Sequence, residues 1–86
     1  MPKVLMYATA ACPFCQSAER LLVSKGVQID KIRVDLEPER RAEMQQKSGR
    51  RTVPQIWIGS RHVGGCDDLY ALDRAGMLDP LLAEKS

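Results

Sequence analysis

The sequence Cys12-Pro13-Phe14-Cys15 places two thiols two residues apart, between an apolar run at residues 4–7 and a helical pattern further on. The apolar run predicts a short buried strand, and the apolar residues after the cysteines recur at helical spacing. We therefore predict a strand, a brief loop and a helix whose first turn carries both thiols. Proline is favoured at the first helical position, because its missing N–H would have no helical partner there.

Cys12 is predicted to be the more acidic and nucleophilic of the two thiols. It falls at the N-cap of the predicted helix, where unpaired backbone N–H groups and the helix dipole both favour an anion. A free thiol has a pKa of about 8.5, and a helix N-terminus together with a second cysteine lowers it to roughly 3.5–7.5. Cys15 lies one turn further along, and we expect it to act as the resolving thiol, which attacks a mixed disulfide formed by Cys12.

A metal site and a structural disulfide fit the cysteine spacing less well than a redox pair. Zinc needs a second pair of ligands, but Cys66 is distant in sequence and His62 lacks a second histidine at a zinc-binding spacing. A chain with three cysteines and no secretory signal is not typical of a disulfide scaffold. A C-x-x-C beside an alternating strand–helix pattern favours redox chemistry, so we expect no metal.

The composition indicates one ordinary domain that spans residues 1–86. Hydrophobic residues make up 44% of the chain, charged residues make up 28%, and the formal net charge is +2. This positive excess is too small to favour nucleic acid or a membrane surface as a partner. No apolar run reaches transmembrane length, and the first residues lack the pattern of a signal peptide. We therefore expect a cytoplasmic monomer.

The remaining patterns predict strands and helices that alternate along the chain. Strands are predicted at residues 3–7, 27–35, 52–58 and 61–63, and helices at residues 13–25, 35–49, from Asp67 or Asp68 to Gly76, and at 77–85. The first two strands form a crossover pair and should be parallel, whereas the last two form an antiparallel hairpin. This order fits an α/β domain in which a four-stranded mixed sheet has helices on both faces.

Three motifs, in this order along the chain, resemble the signatures of the glutaredoxins. They are Cys12-Pro13-Phe14-Cys15, Thr52-Val53-Pro54 and Gly64-Gly65-Cys66-Asp67-Asp68-Leu69. The resemblance covers nearly the whole chain and is strongest to the short bacterial dithiol glutaredoxins. It implies the thioredoxin fold, with the sheet order 2-1-3-4. It also implies reduction of glutathione mixed disulfides and of protein disulfides, with glutathione as the reducing co-substrate.

The resemblance also implies roles for individual residues. Cys12 corresponds to the nucleophile that takes up glutathione, and Cys15 corresponds to the resolving thiol. Val53 and Pro54 correspond to a segment with a cis proline, where the Val53 main chain would pair with the cysteinyl backbone of glutathione as a strand edge does. The implied glutathione-binding residues are Phe14, Arg41, Thr52, Val53, Pro54, Gly65, Cys66 and Asp67.

Two charged ends of glutathione have implied partners in the same way. The segment Gly65-Cys66-Asp67 resembles a helix start whose backbone N–H groups take the γ-glutamyl carboxylate, while the Asp67 carboxylate takes the ammonium group. Arg41 stands where the family often has an Arg or Gln that reaches the glycyl carboxylate. The chain departs from the common family pattern at Thr9, where many members have a lysine that would supply one more positive contact. It also has Phe14 where many members have tyrosine, so that a hydroxyl is missing beside the nucleophile.

Two other functions remain as alternatives to a glutathione-dependent reductase. One is a thioredoxin-like reductant fed by a flavoprotein reductase, against which Thr52-Val53-Pro54 argues because it suits a glutathione pocket. The other is an iron–sulfur carrier, in which two chains would bridge a cluster through Cys12 and two glutathiones. By resemblance, a proline after the first cysteine suits such a carrier less well than a single-cysteine motif does.

Some of the residues singled out also have an ordinary structural interpretation. Cys66 is expected to be a small buried side chain, as most free cysteines are. His62 has no acidic neighbour in sequence, and we expect a solvated histidine on a strand. Arg41 and Arg50 belong to a run of arginines that could form a solvated charged face. Trp57 alternates with two isoleucines and is expected to be part of the core.

Overall fold

The computed structural model describes residues 2–83, which form four strands and four helices. The elements are β1 (Val4–Ala8), α1 (Pro13–Ser24), β2 (Ile29–Arg33), α2 (Pro38–Ser48), β3 (Gln55–Ile58), β4 (Arg61–Gly64), α3 (Cys66–Arg74) and α4 (Leu78–Ala83). Among these described residues, no helix has both the length and the apolar character needed to cross a membrane.

The four strands form one mixed sheet in the order β2-β1-β3-β4. β1 pairs in parallel with β2 and antiparallel with β3, and β3 and β4 form the hairpin. The predicted α/β class and the strand order implied by the resemblance are therefore confirmed. Since β1 is central, the loop that follows its last residue, Ala8, brings the cysteine segment to one end of the sheet.

Side chains that alternate along the central strands divide the core between the two faces of the sheet. Met6 and Ile56 pack on one face with Leu22 of α1 and Leu69 of α3. Tyr7, Val34 and Met44 form the core of the other face, which α2 covers. Burying a leucine fully stabilises the fold by about 1.5–3 kcal/mol, so each helix is held mainly by a few such side chains.

Helix α1 begins where the sequence predicts it. Cys12 takes the extended N-cap conformation, and Pro13 is the first helical residue. The helix ends at Ser24, and Gly26 then turns the chain with a φ of 77°, which a residue without a Cβ adopts at little cost. The local signals of proline and glycine are enough to set both ends.

Helix α2 starts later than predicted, at Pro38 rather than near Asp35. The Asp35 carboxylate is occupied elsewhere, because it accepts hydrogen bonds from the Arg33 guanidinium and, at 3.3 Å, from the N–H of Ala10. The guanidinium holds the pKa of this carboxyl well below its usual range. Asp35 therefore ties the end of β2 to the loop that leads into Cys12.

Helix α3 starts earlier than predicted, at Cys66. Gly65 is its N-cap in an extended conformation, and its N–H donates to the Asp68 carboxylate at 2.9 Å. Asp68 is therefore the third residue of the helix, where its side chain accepts a hydrogen bond from the N-cap, and it is not the residue at which the helix starts. β4 extends one residue beyond the predicted strand and ends at Gly64. The predicted end of the final helix at residue 85 lies outside the described residues.

Candidate active site

The two cysteines of the first helical turn are joined in a disulfide, with their Cα atoms 5.2 Å apart. Both side chains are buried, at 7% exposure for Cys12 and 3% for Cys15. The N–H of Cys15 donates to the Sγ of Cys12 at 3.1 Å. A backbone donor thus already faces the sulfur that the sequence assigns as nucleophile, and it would stabilise a thiolate there when the pair is reduced.

The loop before β3 lies directly against this sulfur. Cys12 Sγ is 3.8 Å from the carbonyl oxygen of Val53, and the Val53–Pro54 peptide bond is cis. Pro54 precedes β3 rather than opening it, so the strand pairing begins at Gln55. The main chain of Val53 is therefore positioned beside the reacting atom without being part of the sheet.

A groove starts at this point and runs to the beginning of α3. Its walls are Phe14, Arg50, Thr52, Val53, Pro54, Gly65, Cys66, Asp67 and Asp68. The structure therefore brings together seven of the eight residues that the resemblance assigns to glutathione. Phe14 is 62% exposed, so its ring presents an apolar surface to solvent at the rim of the groove.

The eighth of these residues, Arg41, is not among the groove-lining residues. It is a partly buried residue of α2, a helix that packs on the opposite face of the sheet from α1 and α3. Arg50 lines the groove and supplies a cation there. In the sequence Arg50 belongs only to a run of surface arginines, and its position two residues before Thr52 is the signal that could have found it.

Arg50 and Asp68 form an ion pair along the wall of the groove. The Arg50 Nη1 donates to Asp68 Oδ2 at 2.8 Å, and this same oxygen accepts the N–H of Gly65. The hydrogen bond from Arg50 is the largest cause that lowers the pKa of the Asp68 carboxyl, and the hydrogen bond from Gly65 is the second. One carboxylate thus joins the start of α3 to the segment before β3.

We predict that Asp68→Ala lowers the free energy of unfolding at pH 7 by about 1 kcal/mol, because it removes a hydrogen bond to the N-cap of α3. Only the ionised carboxylate makes these contacts, and its folded pKa lies below the ordinary value of 3.8. The contribution is therefore present above that value and is lost as the pH falls through the lowered pKa. Urea unfolding at several pH values measures this effect.

The matched control for that variant is Asp79→Ala, which removes a carboxylate paired with Lys25 on the surface. Such exposed pairs contribute about 0–1 kcal/mol, so the control should lose less stability than Asp68→Ala. A loss in Asp68→Ala that shows no decrease as the pH is lowered into the range where the folded carboxyl becomes protonated would contradict the assignment of the carboxylate as the group responsible.

Cys66 is a buried thiol, at 8% exposure, in the wall of the groove. Burial raises its pKa, and the negative charge of Asp67 raises it further. It therefore stays protonated at neutral pH and agrees with the interpretation as a small buried side chain. Within residues 2–83, no three His, Cys, Asp or Glu side chains lie together in a way that could hold a metal ion.

His62 is not the solvated histidine that the sequence predicts. It is partly buried, its ring lies 4.5 Å from that of Trp57 at 33°, and its Nε2 is 2.8 Å from Gln55 Oε1. Burial is the main cause that lowers its pKa. The prediction failed because these partners are cross-strand neighbours, which local sequence does not show.

Comparison with known proteins agrees with this arrangement. The glutaredoxin family model matches residues 4–63. Glutaredoxin from Pseudomonas aeruginosa is 59% identical over 96% of this chain and 99% of its own length, and glutaredoxin 3 from Escherichia coli K12 is 52% identical over 95% and 99%. A buckwheat glutaredoxin–glutathione complex, 31% identical, superposes with a TM-score of 0.88 over 94% of this chain and 76% of that one. The chain therefore belongs to the glutaredoxins, which are glutathione-dependent thiol–disulfide oxidoreductases.

Proposed function

We propose that this glutaredoxin reduces glutathione mixed disulfides and protein disulfides through the Cys12–Cys15 dithiol, with glutathione as reducing co-substrate. The observation that carries the proposal is the position of Cys12 Sγ, which accepts a backbone N–H at 3.1 Å and stands 3.8 Å from Val53 O beside the groove. The relative from buckwheat forms a complex with glutathione, which supports the choice of ligand.

The proposed cycle for a glutathione mixed disulfide needs one reacting sulfur of the protein. The Cys12 thiolate attacks the glutathionyl sulfur, the disulfide bond of the substrate breaks, and the reduced substrate leaves as a thiolate. The thiolate of a second glutathione then attacks the Cys12–glutathione disulfide. This step releases glutathione disulfide and returns Cys12 to its thiolate form.

A protein disulfide would instead need both cysteines. Cys12 attacks one substrate sulfur and forms a mixed disulfide between the two proteins, and Cys15 then attacks Cys12 Sγ and frees the dithiol substrate. The product is the Cys12–Cys15 disulfide that the structure holds. Two glutathione molecules then supply the two electrons that reduce it, and they leave together as glutathione disulfide.

The groove has the chemistry to hold a short extended peptide with charged ends. The Val53 main chain lies beside Cys12 and would pair with the cysteinyl residue of glutathione. The first N–H groups of α3, at Cys66 and Asp67, lack helical partners and would bind the γ-glutamyl carboxylate, while the exposed Asp67 carboxylate would take the ammonium group. Arg50 lines the groove and is paired with Asp68 at the start of α3, so we propose that it adds positive charge at the γ-glutamyl end. Arg41 stays the residue that the family resemblance assigns to the glycyl carboxylate.

The proposed setting is the cytoplasm of a cell, where glutathione keeps thiols reduced. We propose that the protein acts as a monomer and as a single domain. Support for a single domain comes from the sheet, in which β1, near the beginning of the chain, pairs with β3. Glutathione and glutathionylated or disulfide-bonded proteins are then its partners.

The reductant that sustains turnover tests the proposed function. With the mixed disulfide of glutathione and a small thiol as substrate, NADPH oxidation should proceed when glutathione and glutathione reductase are supplied. A thioredoxin reductase given alone with NADPH should support little or no turnover. The reverse pattern would overturn the proposal in favour of a thioredoxin-like reductant.

A further inference from the structure

Gln55 is a fully buried polar side chain directly after the segment that faces Cys12. It is the first residue of β3 and has 0% exposure. Burying an amide group without hydrogen bonds costs about 1–3 kcal/mol by protein mutational data, so its partners determine whether it is tolerated. These partners connect it to the groove on one side and to β4 on the other.

The amide of Gln55 bonds at both ends. Its Nε2 donates to the main-chain carbonyl of Thr52 at 3.0 Å and lies 3.3 Å from the Thr52 hydroxyl oxygen. Its Oε1 is 2.8 Å from Nε2 of His62. A chain of hydrogen bonds therefore runs from His62 on β4, through Gln55, to the first residue of the Thr52-Val53-Pro54 segment.

The chemistry of these groups fixes the direction of every bond in the chain. A main-chain carbonyl can only accept, so the Gln55 atom that faces Thr52 must be the NH₂ group. The other end of the amide is then the oxygen, which can only accept, and His62 must carry its proton on Nε2. Imidazolium also has a hydrogen at Nε2, so the chain of bonds is kept in both protonation states of the ring.

Stacking holds the donating ring in place. The His62 ring lies against Trp57, with centroids 4.5 Å apart, and Trp57 in turn makes an edge contact with the buried Tyr7 at 5.5 Å. The position of the His62 donor is therefore fixed by ring contacts that reach the buried Tyr7.

We propose that His62 and Gln55 are positioning residues for the disulfide exchange reaction. The hydrogen bond from Gln55 to the Thr52 carbonyl fixes the main chain at Thr52, and this in turn holds the Val53 main chain beside Cys12 Sγ, where it can pair with glutathione. This inference rests on the proposed glutathione groove. Neither residue is among those that line the groove, and the hydrogen bonds of Cys12 Sγ involve Val53 and Cys15, so we expect their effect to be on binding and not on the acidity of the thiol.

Two variants of His62 separate the hydrogen bond from the stacked ring. His62→Phe keeps a ring against Trp57 but removes the donor, which leaves the buried Gln55 Oε1 without its partner. His62→Gln removes the ring but places an NH₂ group near the position of Nε2. We expect His62→Phe to raise the KM for a glutathione mixed disulfide by up to about tenfold, with kcat and the Cys12 alkylation rate near wild type, and His62→Gln to restore most of the KM.

A KM that is unchanged in His62→Phe would overturn the inference, and so would equal impairment of the two variants, which would indicate a merely structural role. An NMR order parameter for the Val53 amide supplies a readout that needs no glutathione, since it should fall in His62→Phe and recover in His62→Gln. If the wild-type protein fails to use glutathione, the proposed function fails, and this order parameter still decides whether His62 positions Val53.

Discussion

Cys12→Ser is expected to abolish turnover, with a loss of at least about a thousandfold, because a hydroxyl at this position is a far weaker nucleophile than a thiolate. Cys15→Ser should keep the reduction of glutathione mixed disulfides, since a second glutathione can clear Cys12. It should nevertheless lose the reduction of protein disulfides, which needs the second thiol. Both activities are measured in the coupled assay with glutathione and glutathione reductase.

The geometry explains this division of labour between the cysteines. Cys12 is at the N-cap and beside Val53, whereas Cys15 is inside the first turn of α1 and donates its N–H to Cys12 Sγ. Serine at position 15 keeps that N–H, so the environment of Cys12 should be preserved. Equal loss of mixed-disulfide reduction in the two variants would contradict the assigned roles.

Gly64→Ala is expected to lower the free energy of unfolding by roughly 2–4 kcal/mol and to weaken glutathione binding. Gly64 has a φ of 113°, a conformation that L side chains rarely adopt. A Cβ built there would overlap the Asp68 carboxylate and come within 3.1 Å of Arg50 Nη1. The substitution therefore strains the backbone and displaces the ion pair of the groove wall. Urea unfolding and a glutathione titration measure the two effects.

Gly26→Ala is the matched control for this prediction. Gly26 also has a positive φ, of 77°, but nothing lies within 4 Å of the position that its Cβ would occupy. It should lose only the conformational part, about 1 kcal/mol, and should bind glutathione as the wild type does. If the two alanine variants lose the same stability, the close packing of Gly64 against Asp68 has no energetic consequence and the prediction is wrong.

The sequence predicted those parts of the site that depend on local signals. Pro13 and the C-x-x-C spacing gave the start of α1, and the order of strands and helices gave the α/β class. The strand order and the choice of groove residues came from the family resemblance. The structure places Thr52, Val53, Gly65 and the others together, but their contact with glutathione remains a prediction.

The features that the sequence missed all depend on contacts between distant segments. Local sequence does not show which arginine lies beside the groove, so it did not single out Arg50. The start of α3 was placed too late because Asp68 reaches back to Gly65 and is held by Arg50. His62 was expected in solvent because its partners, Trp57 and Gln55, become neighbours only when the hairpin forms.

The pH dependence of Cys12 alkylation in the reduced protein tests the central claim most directly, with the modified peptide identified by mass spectrometry. If the first turn of α1 stabilises the thiolate, the midpoint of the alkylation rate should fall below about 7.5. Glutathione disulfide should protect Cys12 by forming a mixed disulfide, which Cys15 then converts into the Cys12–Cys15 disulfide. A midpoint near that of a free thiol, at about 8.5, without protection by glutathione disulfide, would contradict the account.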